Sequence, residues 1–358
     1  MAWADKEPAQ GWEDTEDARS PRLAGGEERK MGEFRFAIMG AGNIAGRFCS
    51  AVKRVPGAVV TAVASKSPER AEQFAAKNGI CHAYGDYGQM LKEEKPDCVY
   101  IAVLPSDHFR LCMLCMEHDT PVLCEKAMFT GSQEARRLFA EAGRRGVFAM
   151  EALWSLYLPP LLKVKEWMEA GRIGEVTFVD FSIGFLAERD PANRFFHRQL
   201  GGGAAYDVTV YAYEIVAFLM GQDPKGIQAA ARWGETGVDV TDHVVLQYPE
   251  CMAALTASIV APIEDRLIVY GSQGRIVLPA PHYGKEAFLY DRKGGLEEHF
   301  RDQSTVDGFT YEIQEAMDCI RSGRLQSSAA SWDMTIGCSE LFDQIQATRD
   351  SDSGSGQA

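Results

Sequence analysis

A chain of 358 residues with 46% hydrophobic content can bury a large core, and its length suits two domains. A formal net charge of -14 and a pI near 5.1 argue against nucleic acid or an anionic membrane surface as the main partner. No run of 18 apolar residues occurs, the first 30 residues lack a signal-peptide pattern, and nine cysteines form no spaced framework, so a cytoplasmic protein is expected.

Residues 1–32 hold eight acids, five bases and no periodic apolar pattern, so a disordered leader is expected there. Phe34 to Phe48 then reads as a buried strand, a glycine turn and a helix start. Gly40 permits the tight turn, Gly42 leaves no side chain between backbone and a pyrophosphate, and Ala45 lets the helix lie close on the strand. Asn43 and Ile44 open that helix, whose free amides favour negative charge. Glycine turns that bind nothing also join strands to helices. Here the flanking strand and helix patterns favour a dinucleotide cradle.

Ala58 to Ala64 supplies a second strand, followed by a helix capped by Ser67, begun at Pro68 and closed by Gly79. At the end of that strand an NAD-preferring domain usually carries an acid for the ribose 2′-hydroxyl. Ser65 and Lys66 stand there instead, which suits the 2′-phosphate of NADP(H) over NAD(H). The alternative for Lys66 is a solvated surface lysine.

Strand and helix patterns alternate onward to residue 151: strands at 97–104, 121–124 and 147–151, and helices at 107–118 and 132–145. Such alternation indicates a parallel sheet covered on both faces, with ligands at the carboxyl ends of its strands. Leu104, Pro105 and His108, and then Glu125 and Lys126, fall at those ends and join the cofactor-binding candidates. The lone CxxC, Cys112 to Cys115, sits in a helix pattern without a second pair, so core packing is expected and no metal site.

Beyond 152 the rhythm changes. A helix at 159–170 and a strand at 175–183 lead through a polar loop to Gly201-Gly202-Gly203, which opens a helix running to Met220. Strands near 226–233, 239–248, 251–260, 264–270, 274–278 and 287–291 follow with short turns, implying a mainly antiparallel sheet. Helices at 307–322 and 331–349 and a Ser/Gly tail end the chain.

Four pieces stand out: the glycine turn, Cys124-Glu125-Lys126-Ala127, Gly201 to Tyr211, and Trp154-Ser155-Leu156-Tyr157-Leu158-Pro159. Together, over residues 34–348, they resemble the Gfo/Idh/MocA family of nicotinamide-dependent oxidoreductases, in its branch of dimeric dihydrodiol and NADP-dependent D-xylose dehydrogenases. The resemblance implies that Lys126 lies near the reacting substrate oxygen, Tyr211 is the acid/base and Asp207 orients a hydroxyl. A nearby Lys126 is expected to lower the Tyr211 phenol toward working pH. Asp207 and Tyr211, four apart, should share one helix face. The alternative is that Tyr206, Tyr211 and Tyr213 are core aromatics. Ala127 replaces the family's proline, Leu156 its arginine and Thr209 its glycine. Trp154, Tyr157 and Arg194 are the candidate substrate contacts, with Arg194, His197 and Arg198 able to replace the lost cation.

The expected architecture is α/β: a Rossmann doubly wound parallel sheet over 33–152, and a C-terminal α/β domain over 153–330 with a mainly antiparallel open sheet. A helix over 331–349 should return to the first domain, before a flexible tail at 350–358. The resemblance implies a homodimer through the open sheet. It also implies hydride exchange between NADP(H) and a sugar, polyol or cyclic diol. An NAD-dependent redox glycosidase and a non-catalytic nucleotide sensor on the same fold remain alternatives.

Overall fold

The computed structural model describes residues 32–188, 190 and 193–354, the last five as backbone. The expected leader, apart from Gly32, and positions 355–358 lie outside the described residues. Six strands form the first sheet: β1 (Phe34–Met39), β2 (Ala58–Ala64), β3 (His82–Tyr84), β4 (Cys98–Ile101), β5 (Val122–Glu125) and β6 (Ala149–Ala152). All neighbours pair in parallel, in the order β3-β2-β1-β4-β5-β6. The order reverses between β1 and β4, which is where an open α/β sheet leaves a crevice for a ligand.

Helices α1 (Asn43–Val52), α2 (Pro68–Asn78), α3 (Tyr87–Glu94), α4 (Pro105–Glu117) and α5 (Ser132–Arg145) make the crossovers. The punctuation of α2 is as read: the Ser67 side chain accepts from Arg70 N–H, and Gly79 closes the helix in the left-handed region. Two elements between Gly79 and Asp97 had no counterpart in the sequence reading. β3 is only three residues long and half exposed, so it carries no apolar run. α3 does carry a start signal, since the Asp86 side chain accepts from Gln89 N–H at 2.7 Å.

The second sheet has eight strands: β7 (Val176–Gly184), β8 (Gly226–Trp233), β9 (Asp239–Gln247), β10 (Met252–Ser258), β11 (Arg266–Gly271), β12 (Gly274–Pro279), β13 (Glu286–Asp291) and β14 (Leu296–Arg301). Their order is β14-β13-β12-β11-β7-β10-β9-β8, antiparallel throughout except for the β7/β10 pair. β14 escaped the sequence reading because it is a mostly polar edge strand, LEEHFR. Helices α6 (Pro159–Glu169) and α7 (Val210–Met220) cover one face. α7 is apolar on nearly every side, with eight of its residues buried.

Two local expectations are corrected. The segment opened by the three glycines is not one α-helix: it passes through a π-helical turn, Ala205–Thr209, before α7 begins. The last helix, α9 (Trp332–Gly354), follows α8 (Phe309–Arg321) and runs five residues past the expected 349. No proline interrupts it, and the one glycine inside it before Gly354, Gly337, packs against the Tyr213 ring and hydroxyl. α9 lies against α5 of the first sheet: Trp332 Nε1 donates to Ala149 O at 2.9 Å and Ser132 Oγ to Asp343 at 2.5 Å. Among the described residues no helix is long and apolar enough to cross a membrane. Cys112 and Cys115 are fully buried core residues of α4.

Candidate active site

The site grows from the carboxyl ends of the first sheet. Gly40 turns the chain with φ +110°, and a Cβ there would collide with the carbonyl of Ala102 behind β4. Gly42 is the N-cap of α1, faces open space and supplies no side chain to its amides; no acid stands in the first turn. The free amides are thus left for an anion, which is the fit a dinucleotide pyrophosphate requires. Ala45 is fully buried under the turn, whereas Asn43 is exposed at its rim and Ile44 half-buried.

At the end of β2, Ser65 is buried and Lys66 is exposed. Lys66 Nζ lies 2.7 Å from Asp107 Oδ2, and Arg110 lies 3.1 Å from Asp107 Oδ1. Two cations and one acid therefore line this rim, the acid coming from α4 rather than from β2. These exposed pairs add little stability. Leu104 caps α4 without a side-chain hydrogen bond, and Pro105 fills its first position. His108 does not open on the crevice. It is fully buried, with Nδ1 2.9 Å from Ala127 O and Nε2 3.1 Å from Val103 O, so it ties α4 to the turn after Lys126. Burial depresses its basicity, against the pull of the two carbonyls.

β5 ends in Glu125 and Lys126. The Lys126–Ala127 peptide is cis although residue 127 is alanine. Glu125 is buried and takes a short hydrogen bond from the Tyr100 hydroxyl; burial raises its carboxyl above the usual range. Lys126 Nζ donates to the Asp207 carbonyl at 2.8 Å and to its Oδ1 at 3.3 Å. The same ammonium lies over the Tyr211 ring, 4.8 Å from its centroid. Asp207 in the π turn and Tyr211 in α7 thus converge on one lysine from the other sheet. Burial opposes the Lys126 charge, but Asp207 and Tyr211 outweigh it and raise the ammonium above its ordinary value. Burial likewise opposes the Asp207 charge, and Lys126 with Arg194 overcomes it. The pair is charged.

Tyr211 departs from expectation. Burial pushes its phenol up, and the nearby carboxylates Glu125 and Asp207 add to this, so the lowering by Lys126 loses. The phenol stays protonated. Trp154 contributes a hydrogen bond to it and stacks on Phe309, with centroids 5.6 Å apart. Tyr157 points elsewhere: its hydroxyl donates to Ser327 Oγ at 3.1 Å. Leu156, where the resemblance implied an arginine, is fully buried in the core. Arg194 contacts Asp207 Oδ1 at 3.1 Å, so the polar loop does bring a cation to the cluster. Arg198 instead lines a side cavity with Ser106, Thr130 and Tyr206.

Several residues of this region had no signal in the reading. Glu151, at the end of β6, accepts Met128 N–H at 2.8 Å and the Thr335 hydroxyl at 2.9 Å, tying the lysine turn to α9. The His282 ring lies 5.0 Å from that of Tyr211, and its Nδ1 is 2.7 Å from Asp265 Oδ2, within ion-pair distance but without hydrogen-bond alignment. Only Glu151 adjoins a motif. His282 and Asp265 come from two loops of the second sheet.

Residues 34–153 match the oxidoreductase family with an NAD-binding Rossmann fold, and residues 161–277 match the GFO/IDH/MocA C-terminal domain. The trans-1,2-dihydrobenzene-1,2-diol dehydrogenase of Mus musculus is 31% identical over 324 residues, covering 87% of this chain and 94% of its own. That of Bos taurus is 30% identical over 82% of this chain and 90% of its own. Among solved structures, levoglucosan dehydrogenase with NADH and levoglucosan superposes at a TM-score of 0.81, with 15% identity, covering 89% of this chain and 98% of that one. A 3-ketoreductase from Actinomadura kijaniata with NADP and TDP-benzene reaches 0.79, with 23% identity and coverage of 88% and 98%. These structures share the fold. The chain is an NAD(P)-dependent oxidoreductase of the dehydrogenase type, and it belongs to the Gfo/Idh/MocA family.

Proposed function

We propose that the protein interconverts a secondary alcohol and its carbonyl on a sugar, polyol or cyclic diol, with NADP(H) preferred. The observation that carries this reading is the convergence of Lys126, Asp207 and Tyr211 beside an uncapped glycine turn. The relatives' names, which include diol and levoglucosan dehydrogenases, support the substrate class.

When bound, the nicotinamide cofactor supplies or accepts the hydride. Gly40, Gly42 and the start of α1 would hold its pyrophosphate, with Leu104 and Pro105 along the crevice. Ser65, Lys66 and Arg110 would face the 2′-phosphate, the two cations being supplied by β2 and α4. The Lys126 ammonium would stabilise the substrate oxygen as it gains negative charge. Tyr211, kept protonated by burial, would donate its proton to that oxygen during reduction and recover it in oxidation. Asp207 would hold Lys126 in place and accept a substrate hydroxyl, while Trp154 fixes Tyr211 and walls the cleft.

The same reading includes a cytoplasmic homodimer. Nine unpaired thiols suit a reducing compartment. On the open face of the second sheet, Met252, Phe178 and Tyr270 stand side by side on β10, β7 and β11, each more than a third exposed.

A cofactor-resolved screen over pentoses, hexoses, inositols, dihydrodiols and dicarbonyls tests the activity. Turnover with NADP(H) is expected for at least one cyclic diol or sugar. No turnover on any of them, with NADPH still tightly bound, would overturn it in favour of a sensor. Net NADPH consumption with a free sugar or dicarbonyl would exclude the redox glycosidase.

A further inference from the structure

The π turn that carries Asp207 is gripped at both ends by acids of one strand. Asp239 and Asp242 lie on β9 and are fully buried. Asp239 Oδ2 accepts the amide of Ala205, the first residue of the turn, at 2.5 Å. Asp242 Oδ2 accepts the hydroxyl of Thr209, the last residue, at 2.7 Å. Asp239 also explains the third glycine of the motif: Gly203 sits at φ +128°, and a Cβ there would run into the Asp239 carboxyl.

Oδ1 of each acid is buried without a hydrogen-bond partner, yet the two side chains reach one another. Neither forms an ion pair among the described residues. Two buried carboxylates in contact cannot both stay charged, and one proton shared between them satisfies both. A π turn is a rare conformation that the backbone does not choose unaided. Thr209 supplies the hydroxyl that joins the turn to this pair.

We propose that Asp239, Asp242 and Thr209 are positioning residues that clamp both ends of the π turn and thereby aim Asp207 at Lys126. The proposal rests on the reading above that Asp207 and Lys126 serve the reaction.

Thr209→Val keeps the side chain's shape and removes its donor, whereas Thr209→Ser keeps the donor. Four quantities are read: kcat, NADPH affinity, melting temperature, and the acetylation rate of Lys126 in the cofactor-free protein, followed by mass spectrometry. For Thr209→Val, kcat should fall about tenfold while NADPH affinity stays within about twofold, as loss of one buried hydrogen bond allows. Lys126 should acetylate faster, because a looser Asp207 no longer favours the ammonium. Thr209→Ser should restore both values. Wild-type kcat and labelling in Thr209→Val would overturn the clamp, as would equal impairment of both variants, which would reduce Thr209 to a filler of space. If the wild type turns over no substrate, the proposed function fails, and Lys126 labelling still decides the clamp: faster in Thr209→Val supports it, unchanged overturns it.

Discussion

In the proposed site the cofactor side of the cleft is mainly backbone at the ends of β1 and β4, whereas the substrate side hangs on buried polar side chains contributed by distant segments. Gly40, Gly42 and Pro105 would act through conformation and bare amides, which short local stretches of sequence encode. Lys126, Asp207 and Tyr211 meet only because β5, a π turn and α7 are packed together, with Glu151 and Asp239 holding the joints. The first design should tolerate most side-chain changes outside its glycines. The second should fail when one hydrogen bond or one charge is removed.

The largest expected effect probes the second side. Lys126→Met should lower kcat by about 10²- to 10⁴-fold, the range for a positioned polar or proton-handling group, with NADPH binding retained in fluorescence titration. Unchanged turnover would remove Lys126 from the chemistry. On the first side, Gly40→Ala should weaken NADPH binding about tenfold or more, because strain and collision with Ala102 distort the turn. Gly46→Ala, whose Cβ meets only Phe74 at 4.0 Å, should leave binding unchanged, and equal losses in both would break the distinction.

Lys66→Asp should move the NADP/NAD ratio of kcat/KM toward NAD by about tenfold, the worth of one charge-assisted contact at an exposed site. An unaltered ratio would show that the Lys66, Asp107 and Arg110 rim does not read the 2′-phosphate. The smallest effect concerns a buried acid on α8. Both carboxyl oxygens of Glu312 are buried without a hydrogen-bond partner, and burial pushes its pKa well above the usual range. The folded state therefore holds a proton that the unfolded chain releases near pH 4 to 5, so the group costs stability as pH rises from there toward its folded value. Glu312→Gln should melt higher than the wild type by a margin that grows from pH 5 to pH 8, on the order of 2 °C. A constant margin would show that Glu312 stays charged in the fold.

Sequence periodicity and punctuation located most elements, because the Ser67 cap, the Gly79 stop and the alternation of apolar strands with helices are local signals. They failed where the element was polar or very short, as at β14 and β3. The reading of the Tyr211 phenol failed for another reason. A nearby lysine is visible as a motif, but full burial and two neighbouring carboxylates are not, and they outweigh it.

What the sequence determined by itself is the nucleotide-binding half: glycine placement, strand ends and the residues after them follow from conformation within about fifteen positions. It also named Lys126, Asp207 and Tyr211 through their motifs. Only the tertiary structure decided how the second half holds them. Strand alternation alone would put Asp239 and Asp242 on opposite faces of β9. An irregularity in register, where Trp233 pairs with Asp239 and Arg232 with Thr241, accompanies the turn of both acids inward. Likewise Asp107 reaches Lys66 from 41 positions away. Such contacts depend on long-range packing and burial, which no local pattern of residues encodes.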